Sequence, residues 1–185
     1  MRYTSVVEAL RQAVVQGLET YVNPGSVGTT SSVGVWETLK MGCGNTGLKR
    51  DSLDALISDL IRESFDWKCA RCSKEFPDRK ARDCHCSHFY SRQFNSTRWH
   101  PNNLTCICAT CHDYLGKHPD EHTDFIRALL GPGAYEMLRD RNRQVYRYRE
   151  ADKKAMKKHY RAELERIHAL RTEGVTGYIS VVSYD

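Results

Sequence analysis

Hydrophobic residues recur at helical spacing in the first part of the chain. Apolar side chains repeat every three or four positions, at Val7, Leu10, Val14, Leu18 and Tyr21. Ser5 and Glu8 form an S-x-x-E capping box at the start of this run, which predicts a helix over residues 6–21. The following stretch, residues 23–34, is rich in Gly, Ser and Thr and predicts a linker or long loop.

A stronger helical pattern covers residues 51–65. Its apolar positions lie on one face of a helix and comprise Leu53, Leu56, Ile57, Leu60, Ile61 and Phe65. Asp51 or Ser52 is in the right place to cap its first turn. Residues 67–116 differ, because they are dense in Cys, His, Arg and aromatic residues, and short pieces such as SHFYS favour strands.

The C-terminal part is predicted to be mostly helical. TDFIRALLG and AYEMLRDR suit two short helices separated by GPG, and a long basic helix is predicted over residues 143–172, ended by Gly174. Its narrow apolar stripe comprises Met156, Tyr160, Leu164 and Ile167. The terminal GYISVVSY has the composition of a strand.

Length and composition fit one ordinary domain with extensions. The chain has 185 residues, of which 40% are hydrophobic. It contains no run of eighteen apolar residues, and its first residues lack the apolar core of a secretory signal, so we expect a soluble cytoplasmic protein with no membrane partner. Residues 139–185 carry twelve basic and seven acidic side chains. This local excess of positive charge points weakly to a polyanionic partner.

Four of the eight cysteines form two C-x-x-C pairs. Cys69 and Cys72 make the first pair, and Cys108 and Cys111 make the second. Each pair can aim two thiolates at one tetrahedral ion, so together they predict a structural Zn²⁺ site. A thioredoxin-like redox pair is the alternative, but the βαβ pattern that it needs is absent.

The remaining cysteines have no equally clear role. Cys84, Cys86 and Cys106 could hold a second ion, although free buried cysteines are common. Cys43 is predicted to be unpaired.

His88, Asn103 and His112 follow one another between and just after the zinc cysteines. The stretch CHCSHFYSRQFNSTRWHPNNLTCICATCHDYLG resembles HNH (ββα-metal) endonucleases and, more closely, the bacteriophage NinG/Rap family of recombination endonucleases. The resemblance spans roughly residues 51–171 and departs from the family pattern at two points. Ser87 precedes His88 where many HNH enzymes have an acidic ligand, and His112 stands where NinG-like sequences commonly have Asn.

The resemblance implies a role for each of these residues in phosphodiester hydrolysis. His88 would accept the proton of the attacking water, His112 would bind a catalytic Mg²⁺ or Mn²⁺, and Asn103 would brace the loop between the strands. His85 is a further candidate ligand, although its spacing from His88 puts it on the opposite face of a regular strand. Arg92 and Arg98 are predicted to contact phosphate, and Arg98, the stronger candidate of the two, is also predicted to act in catalysis by stabilising the transition state.

The predicted fold is α+β: a small zinc-stabilised ββα-metal core flanked by helices, with a long basic C-terminal helix. Residues 1–48 would form an N-terminal helix and flexible segment, 49–139 the nuclease core, and 140–185 the basic helix and strand-like tail. Four lysines of that helix are predicted to contact DNA backbone: Lys153, Lys154, Lys157 and Lys158. Alternatively, the helix packs through its apolar stripe, for example on a second copy in a homodimer.

The predicted function is metal-dependent cleavage of DNA. By resemblance, the substrate would be branched DNA in a phage-type recombination pathway, in the cytoplasm of the host cell if the protein is phage-encoded. Two other functions stay open. One is a zinc module that binds nucleic acid without cutting it, and the other is a homing or restriction nuclease that cuts a defined duplex sequence.

Overall fold

The computed structural model describes residues 49–80 and 82–184. The helix predicted over residues 6–21, the loop after it and Cys43 lie outside this range. Within it, six α-helices surround one antiparallel sheet of two strands, which confirms the α+β class. None of the helices in these described stretches has the length and apolar character needed to cross a bilayer.

The helix predicted over residues 51–65 is confirmed as α1, Ser52–Ser64. Asp51 is its N-cap, and its carboxylate accepts the backbone N–H groups of Leu53 at 2.7 Å and Asp54 at 3.0 Å. The Asp54 carboxylate in turn accepts the backbone N–H of Asp51 at 2.9 Å. These bonds satisfy N–H groups that the first turn of a helix leaves without partners. The apolar face of α1 is buried through Leu53, Ile57, Leu60 and Ile61.

A short hairpin and the helix after it form the centre of the fold. Strand β1, Cys84–His88, pairs antiparallel with β2, Leu104–Cys108, so that Cys84 faces Cys108 and His88 faces Leu104. The connection between them contains the short helix α2, Asn95–Arg98, and a 3-10 turn, Pro101–Asn103. Helix α3, Ala109–Lys117, begins directly after β2, with Cys108 as its N-cap. The local order is therefore strand, strand, helix.

The first C-x-x-C pair lies against the end of this hairpin. The backbone N–H of Ala70 donates to the Cys106 carbonyl of β2 at 2.8 Å. The turn closes on itself through the N–H of Cys69, which donates to the Lys74 carbonyl at 2.8 Å. These two bonds hold Cys69 and Cys72 beside the second pair, although 36 residues separate Cys72 from Cys108.

The two predicted short helices are confirmed as α4, Pro119–Leu130, and α5, Pro132–Asn142. Gly131 separates them with φ of +78°, a conformation that side-chain-bearing residues rarely adopt. Pro119 and Pro132 occupy the first turns, where a missing N–H costs no hydrogen bond. A small second core forms where Phe89 packs with Ile126, Tyr135 and Leu138.

The long basic helix begins later than predicted. Helix α6 spans Glu150–Thr172, whereas the sequence pattern predicted a start at residue 143. The Asp152 carboxylate accepts the backbone N–H of Arg149 at 2.8 Å, which caps the helix there. Residues 144–149 are held outside the helix as the Tyr148 ring packs edge-on against Trp99, with centroids 5.3 Å apart. The tertiary contact outweighs the helical pattern.

The apolar stripe of α6 packs within the chain. Met156, Tyr160 and Ile167 are buried in the same core as the apolar face of α1. The Tyr160 hydroxyl donates to the carbonyl of Trp99 at 2.9 Å, which ties α6 to the connection between the strands. The stripe therefore does not need a second copy of the chain to cover it.

The C-terminal segment is not the strand that its composition predicted. Residues 178–184 adopt no regular secondary structure, although Ile179 is buried and its N–H donates to the Ser64 carbonyl at 2.8 Å. Arg171 donates to the carbonyls of Glu63 and Gly177 at 2.8 and 2.6 Å. The segment covers the end of α1 through isolated hydrogen bonds, since the hairpin does not offer it a strand to pair with.

Candidate metal centre and active site

Four cysteine sulfurs meet between the first C-x-x-C turn and the start of α3. The Sγ atoms of Cys69, Cys72, Cys108 and Cys111 all lie within 4.8 Å of one another. Those of Cys72 and Cys108 are 3.7 Å apart. A tetrahedral ion with Zn–S bonds of about 2.3 Å places its sulfurs about 3.8 Å apart. The predicted four-cysteine set is therefore brought together in a geometry that can hold a metal ion such as zinc.

The chemistry of these thiols also suits a cation. Burial raises the pKa of Cys69 to about 11 and raises that of Cys111 as well. The pKa of Cys108 lies below its usual value even though burial opposes this, because Cys111 and the neighbouring thiols donate hydrogen bonds to its sulfur. Four crowded sulfurs cannot all ionise without a positive charge among them, and a divalent ion supplies that charge.

The other cysteines of the hairpin lie outside this cluster. The Sγ atoms of Cys84 and Cys106 are 3.1 Å apart, and both residues are buried. Burial raises the pKa of Cys86 to about 11. Among residues 49–80 and 82–184, one group of three or more metal-ligating side chains could hold an ion, and it consists of the four cysteines described above. A second ion at Cys84, Cys86 and Cys106 is not supported.

Two histidines from the hairpin and its helix face each other. His85 is the second residue of β1, and His112 lies in the first turn of α3, directly after Cys111. Their Nδ1 atoms are 3.1 Å apart, and the two rings are nearly perpendicular at 85°. This approach follows from the order of the elements, since α3 begins directly after β2 and His85 is paired with Ile107 near the end of β2.

The separation of these nitrogens suits joint ligation of one ion. Two nitrogens that each lie about 2.1 Å from a metal are about 3.0 Å apart when adjacent in an octahedron and about 3.4 Å apart in a tetrahedron. Imidazole is a preferred ligand of Zn²⁺ and other transition ions, whereas Mg²⁺ prefers oxygen. Of the two ions predicted for catalysis, this pair favours Mn²⁺ over Mg²⁺.

The histidine pair borders a cavity of about 380 Å³. Its lining residues are His85, Ala109, His112, Asp113, Gly116 and Lys117. The lining residues of α3 after His112 are exposed, and the Lys117 ammonium donates to the Asp113 carboxylate at 2.7 Å there. Burial and the neighbouring His85 lower the pKa of His112, so the His112 ring is available as a neutral ligand near neutral pH.

His88 lies at the end of β1 and is not among the residues that line this cavity. Its Nε2 atom is 3.1 Å from the backbone carbonyl of Arg98. Because a carbonyl only accepts, Nε2 carries the proton and the lone pair stays on Nδ1. The structure thus brings His85 rather than His88 next to His112. The general-base role of His88 stays a prediction.

The buried position of His88 predicts an acid-dependent loss of stability. Burial lowers the pKa of His88 to about 4, whereas an unfolded histidine titrates near 6.5. Between these two pKa values the unfolded chain binds a proton at this histidine and the folded chain does not. The unfolding free energy present above pH 6.5 is therefore lost as the pH falls towards 4. Between pH 7 and pH 5 we expect the wild type to lose about 2 kcal/mol more unfolding free energy than His88→Gln.

Denaturant titrations of both proteins at the two pH values check this prediction. The cysteine cluster is the same in both chains, so its own acid sensitivity cancels in the comparison. Equal losses in the two proteins would mean that His88 titrates normally in the folded state.

Asn103 braces the connection between the strands. Its side-chain oxygen accepts the N–H of Tyr90 at 2.7 Å, and its amide donates to the carbonyls of Tyr90 and Thr97 at 3.0 Å each. Asn103 is fully buried. One of these bonds holds the carbonyl of Thr97. The next carbonyl along the chain, that of Arg98, orients His88. The arrangement supports the bracing role that the family resemblance implies for Asn103.

Arg98 is engaged inside the protein rather than at its surface. Its Nε donates to Asp54 Oδ1 at 2.9 Å, and its Nη2 donates to the other carboxylate oxygen. The indole N–H of Trp99 donates to the same carboxylate at 2.7 Å. Burial opposes ionisation of Asp54, but these donors hold its pKa below the usual value. The guanidinium predicted to contact phosphate thus holds the strand connection onto α1, which is a structural role.

Removing the Asp54 carboxylate should be costly. Asp54→Ala leaves the buried guanidinium of Arg98 without its counter-charge, and breaking such a pair costs about 3–5 kcal/mol. Asp140→Ala is the control on α5, because the side chains of Asp140 and its partner Arg143 are both exposed, at 64% and 67%, and lie 3.3 Å apart. A surface pair of this kind contributes less than about 1 kcal/mol. Similar unfolding free energies for the two variants would contradict the structural role of Arg98.

The other predicted DNA contacts lie closer to solvent. Arg92 is half-buried, and its charge is near enough to lower the pKa of His88. Lys154 and Lys158 are exposed on α6, while Lys157 is half-buried. Lys153 is half-buried. Its ammonium lies 5.9 Å from the centre of the Trp99 ring and 3.2 Å from the Glu150 carboxylate.

Sequence reasoning missed two side chains of this region. Asp54 had no signal beyond its place in a capped helix, and its pairing with Arg98 spans 44 positions. His122 was not among the site residues predicted from the sequence, yet its ring packs edge-on against Phe89 at 5.2 Å. Burial and the nearby His112 lower the pKa of His122 to about 4.

Comparison of the chain with models of known protein families, with curated proteins and with solved structures finds no match. The likeness to HNH and NinG/Rap endonucleases rests on the motif residues given above.

Proposed function

We propose that this protein is a metal-dependent DNA endonuclease of the HNH type. The observation that carries the proposal is the pair of Nδ1 atoms of His85 and His112, 3.1 Å apart at a cavity on a strand–strand–helix unit. Four cysteines that can hold zinc fasten this unit at its base. A structural ion beside an accessible imidazole pair is an arrangement suited to hydrolysis, in which one site stabilises the scaffold and the other acts on substrate.

In this proposal His85 and His112 hold a divalent ion. When bound, such an ion supplies an activated water at neutral pH and stabilises negative charge on the phosphate. His112 has a fixed place because Cys111 precedes it, and His85 has a fixed place within the paired part of β1. Preorganised ligands of this kind avoid the cost of reorganising the site as the ion and the phosphate bind.

His88 is the proposed proton acceptor. The Arg98 carbonyl fixes its ring and leaves the Nδ1 lone pair free of a proton, which is the state that a general base needs. Asn103 supports that carbonyl through its bond to Thr97. Asn103 and Arg98 therefore act through His88 as positioning residues. This role for His88 rests on the resemblance to HNH endonucleases, because three positions along a regular strand put His88 on the opposite face of β1 from His85, and His88 does not line the cavity.

DNA is the proposed substrate because exposed positive charge flanks the core. Lys154, Lys158 and Arg161 lie exposed on α6, and backbone phosphates bind such side chains without regard to sequence. A preference for branched DNA follows only from the resemblance to NinG/Rap endonucleases. A sequence-specific duplex nuclease and a zinc module without catalysis are the alternatives that the experiment must separate.

A cleavage assay on one zinc-loaded preparation tests the proposal. Supercoiled plasmid, linear duplex and a synthetic four-way junction are each incubated with Mn²⁺ or Mg²⁺. We expect ion-dependent nicking, faster with Mn²⁺, and strongest on the junction if the branch preference holds. DNA binding without nicking under any of these ions would favour the non-catalytic zinc module, and cutting at one duplex sequence would favour a restriction or homing nuclease.

A further inference from the structure

An aromatic ladder runs from the core to the surface between α5 and α6. Trp99 is buried, and its indole N–H is bound to Asp54 at 2.7 Å. Tyr148 packs edge-on against Trp99 at 5.3 Å, and Tyr146 packs on Tyr148 at 4.8 Å with 38° between the rings. Tyr146 is 45% exposed and ends the ladder. Its outer face is thus held in place by rings anchored in the core.

The backbone around Tyr146 is also tethered. The Asn95 side chain donates to the Tyr146 carbonyl at 3.4 Å, which connects this segment to α2. Phe94, the residue before Asn95, is 39% exposed, and Val145 is 92% exposed. Three apolar side chains therefore face solvent where two segments of the chain meet. A ring that is already ordered loses little conformational entropy when a ligand stacks on it.

The charge around this patch is positive. Residues 143–149 include Arg143, Arg147 and Arg149 and no acidic residue. All three are exposed. Arg143 and Arg149 contact Asp140 and Asp152 at 3.3 and 3.4 Å, but exposed pairs of this kind are weak and do not prevent a phosphate from binding.

We propose that Tyr146 is a stacking site for an unpaired nucleotide base, with the arginines of residues 143–149 binding the adjoining phosphates. This inference rests on the proposed function, since it assumes a DNA substrate. Exposed aromatic rings among basic side chains are the combination that binds single-stranded nucleic acid, because every base has a face that can stack and every linkage carries a negative charge. Duplex DNA would not reach the ring, because its bases are stacked on one another inside the helix.

The test separates the contribution of the bases to the binding affinity from that of the phosphates. Fluorescence anisotropy compares a labelled oligothymidine with an abasic oligonucleotide of equal length, using zinc-loaded protein without added divalent ion. The wild type should bind the base-bearing strand about tenfold more tightly, which corresponds to one stacked base. Tyr146→Leu keeps an apolar side chain but lacks an aromatic face, so it should lose this preference while still binding both strands.

Two further variants complete the test. Tyr146→Phe keeps the ring and should retain the preference. Met137→Ala removes another exposed apolar side chain, 74% exposed on α5, and should also retain it. The proposal would be overturned if Tyr146→Leu kept the preference for the base-bearing strand. It would also be overturned if this variant bound both strands more weakly by the same factor.

Plasmid nicking, measured on the same proteins, reports on the proposed function alone. We expect the control variant Met137→Ala to nick supercoiled plasmid within about twofold of the wild type, because Met137 belongs to neither the proposed ion site nor the proposed stacking site. If the wild type itself does not nick, the proposed function fails, whereas the anisotropy comparison still decides whether Tyr146 stacks on a base.

Discussion

Replacing Cys108 by alanine is expected to release the structural ion and unfold the domain. Cys108 caps α3 and lies 3.7 Å from Cys72, so the change removes one of four ligands and a helix cap together. Structural zinc contributes about 10–16 kcal/mol of binding free energy in small domains. Whole domains are stable by only about 5–15 kcal/mol, so the folded state should not survive this loss. Zinc content and circular dichroism of the purified variant measure the effect.

Cys86→Ala is the matched control. Cys86 lies on the same hairpin and is partly buried, but it is not one of the four clustered cysteines. We expect this variant to keep its zinc and its fold, with a loss of about 1 kcal/mol for a small deleted group. A Cys108→Ala protein that keeps one zinc per chain and its helical signal would show that the cluster does not hold the fold together.

Replacing His85 or His112 by alanine is expected to slow plasmid nicking by about a hundredfold or more. A bound ion contributes several kcal/mol to the stabilisation of phosphoryl transition states, and each 1.36 kcal/mol is a factor of ten in rate. Because both imidazoles are proposed to hold one ion, the double variant should be about as slow as either single variant. Rates measured under excess Mn²⁺ on folded, zinc-loaded proteins test this non-additivity.

Two histidine controls refine the result. His118→Ala should nick normally, because His118 is exposed at the far end of α3 and stacks on Tyr114 at 4.1 Å. His88→Ala should lose nicking but keep the bound ion, since its proposed role is to accept a proton. If His88→Ala nicked plasmid normally, the proton of the attacking water would pass to solvent and not to His88. Normal nicking by both His85→Ala and His112→Ala would remove the proposed ion site.

The parts of the fold that depend on local pattern were predictable. Helix α1 was recognisable from its apolar face and from Asp51, and α4 and α5 from the break at Gly131. The four clustered cysteines were recognisable because two C-x-x-C pairs have the spacing that a tetrahedral metal site requires. In each case the signal lies within a few positions along the chain.

Features that depend on contacts between distant residues were not predictable. Residues 143–149 carry a helical pattern, but Tyr148 packs on Trp99, 49 positions earlier, and α6 starts after it. Arg98 reads as a surface arginine, yet Asp54 neutralises it in the core. His85 received less weight than His88 as a partner of His112, because strand alternation gives the face of a side chain and not the helix that packs against it.

Binding of Mn²⁺ to the zinc-loaded protein tests the central claim most directly. In pulsed electron paramagnetic resonance, nitrogen couplings identify histidines that ligate a bound Mn²⁺. We expect one Mn²⁺ per chain coupled to two imidazole nitrogens, and loss of this species in both His85→Ala and His112→Ala while zinc is retained. An Mn²⁺ signal without nitrogen coupling, or with coupling unchanged in the two variants, would contradict the account.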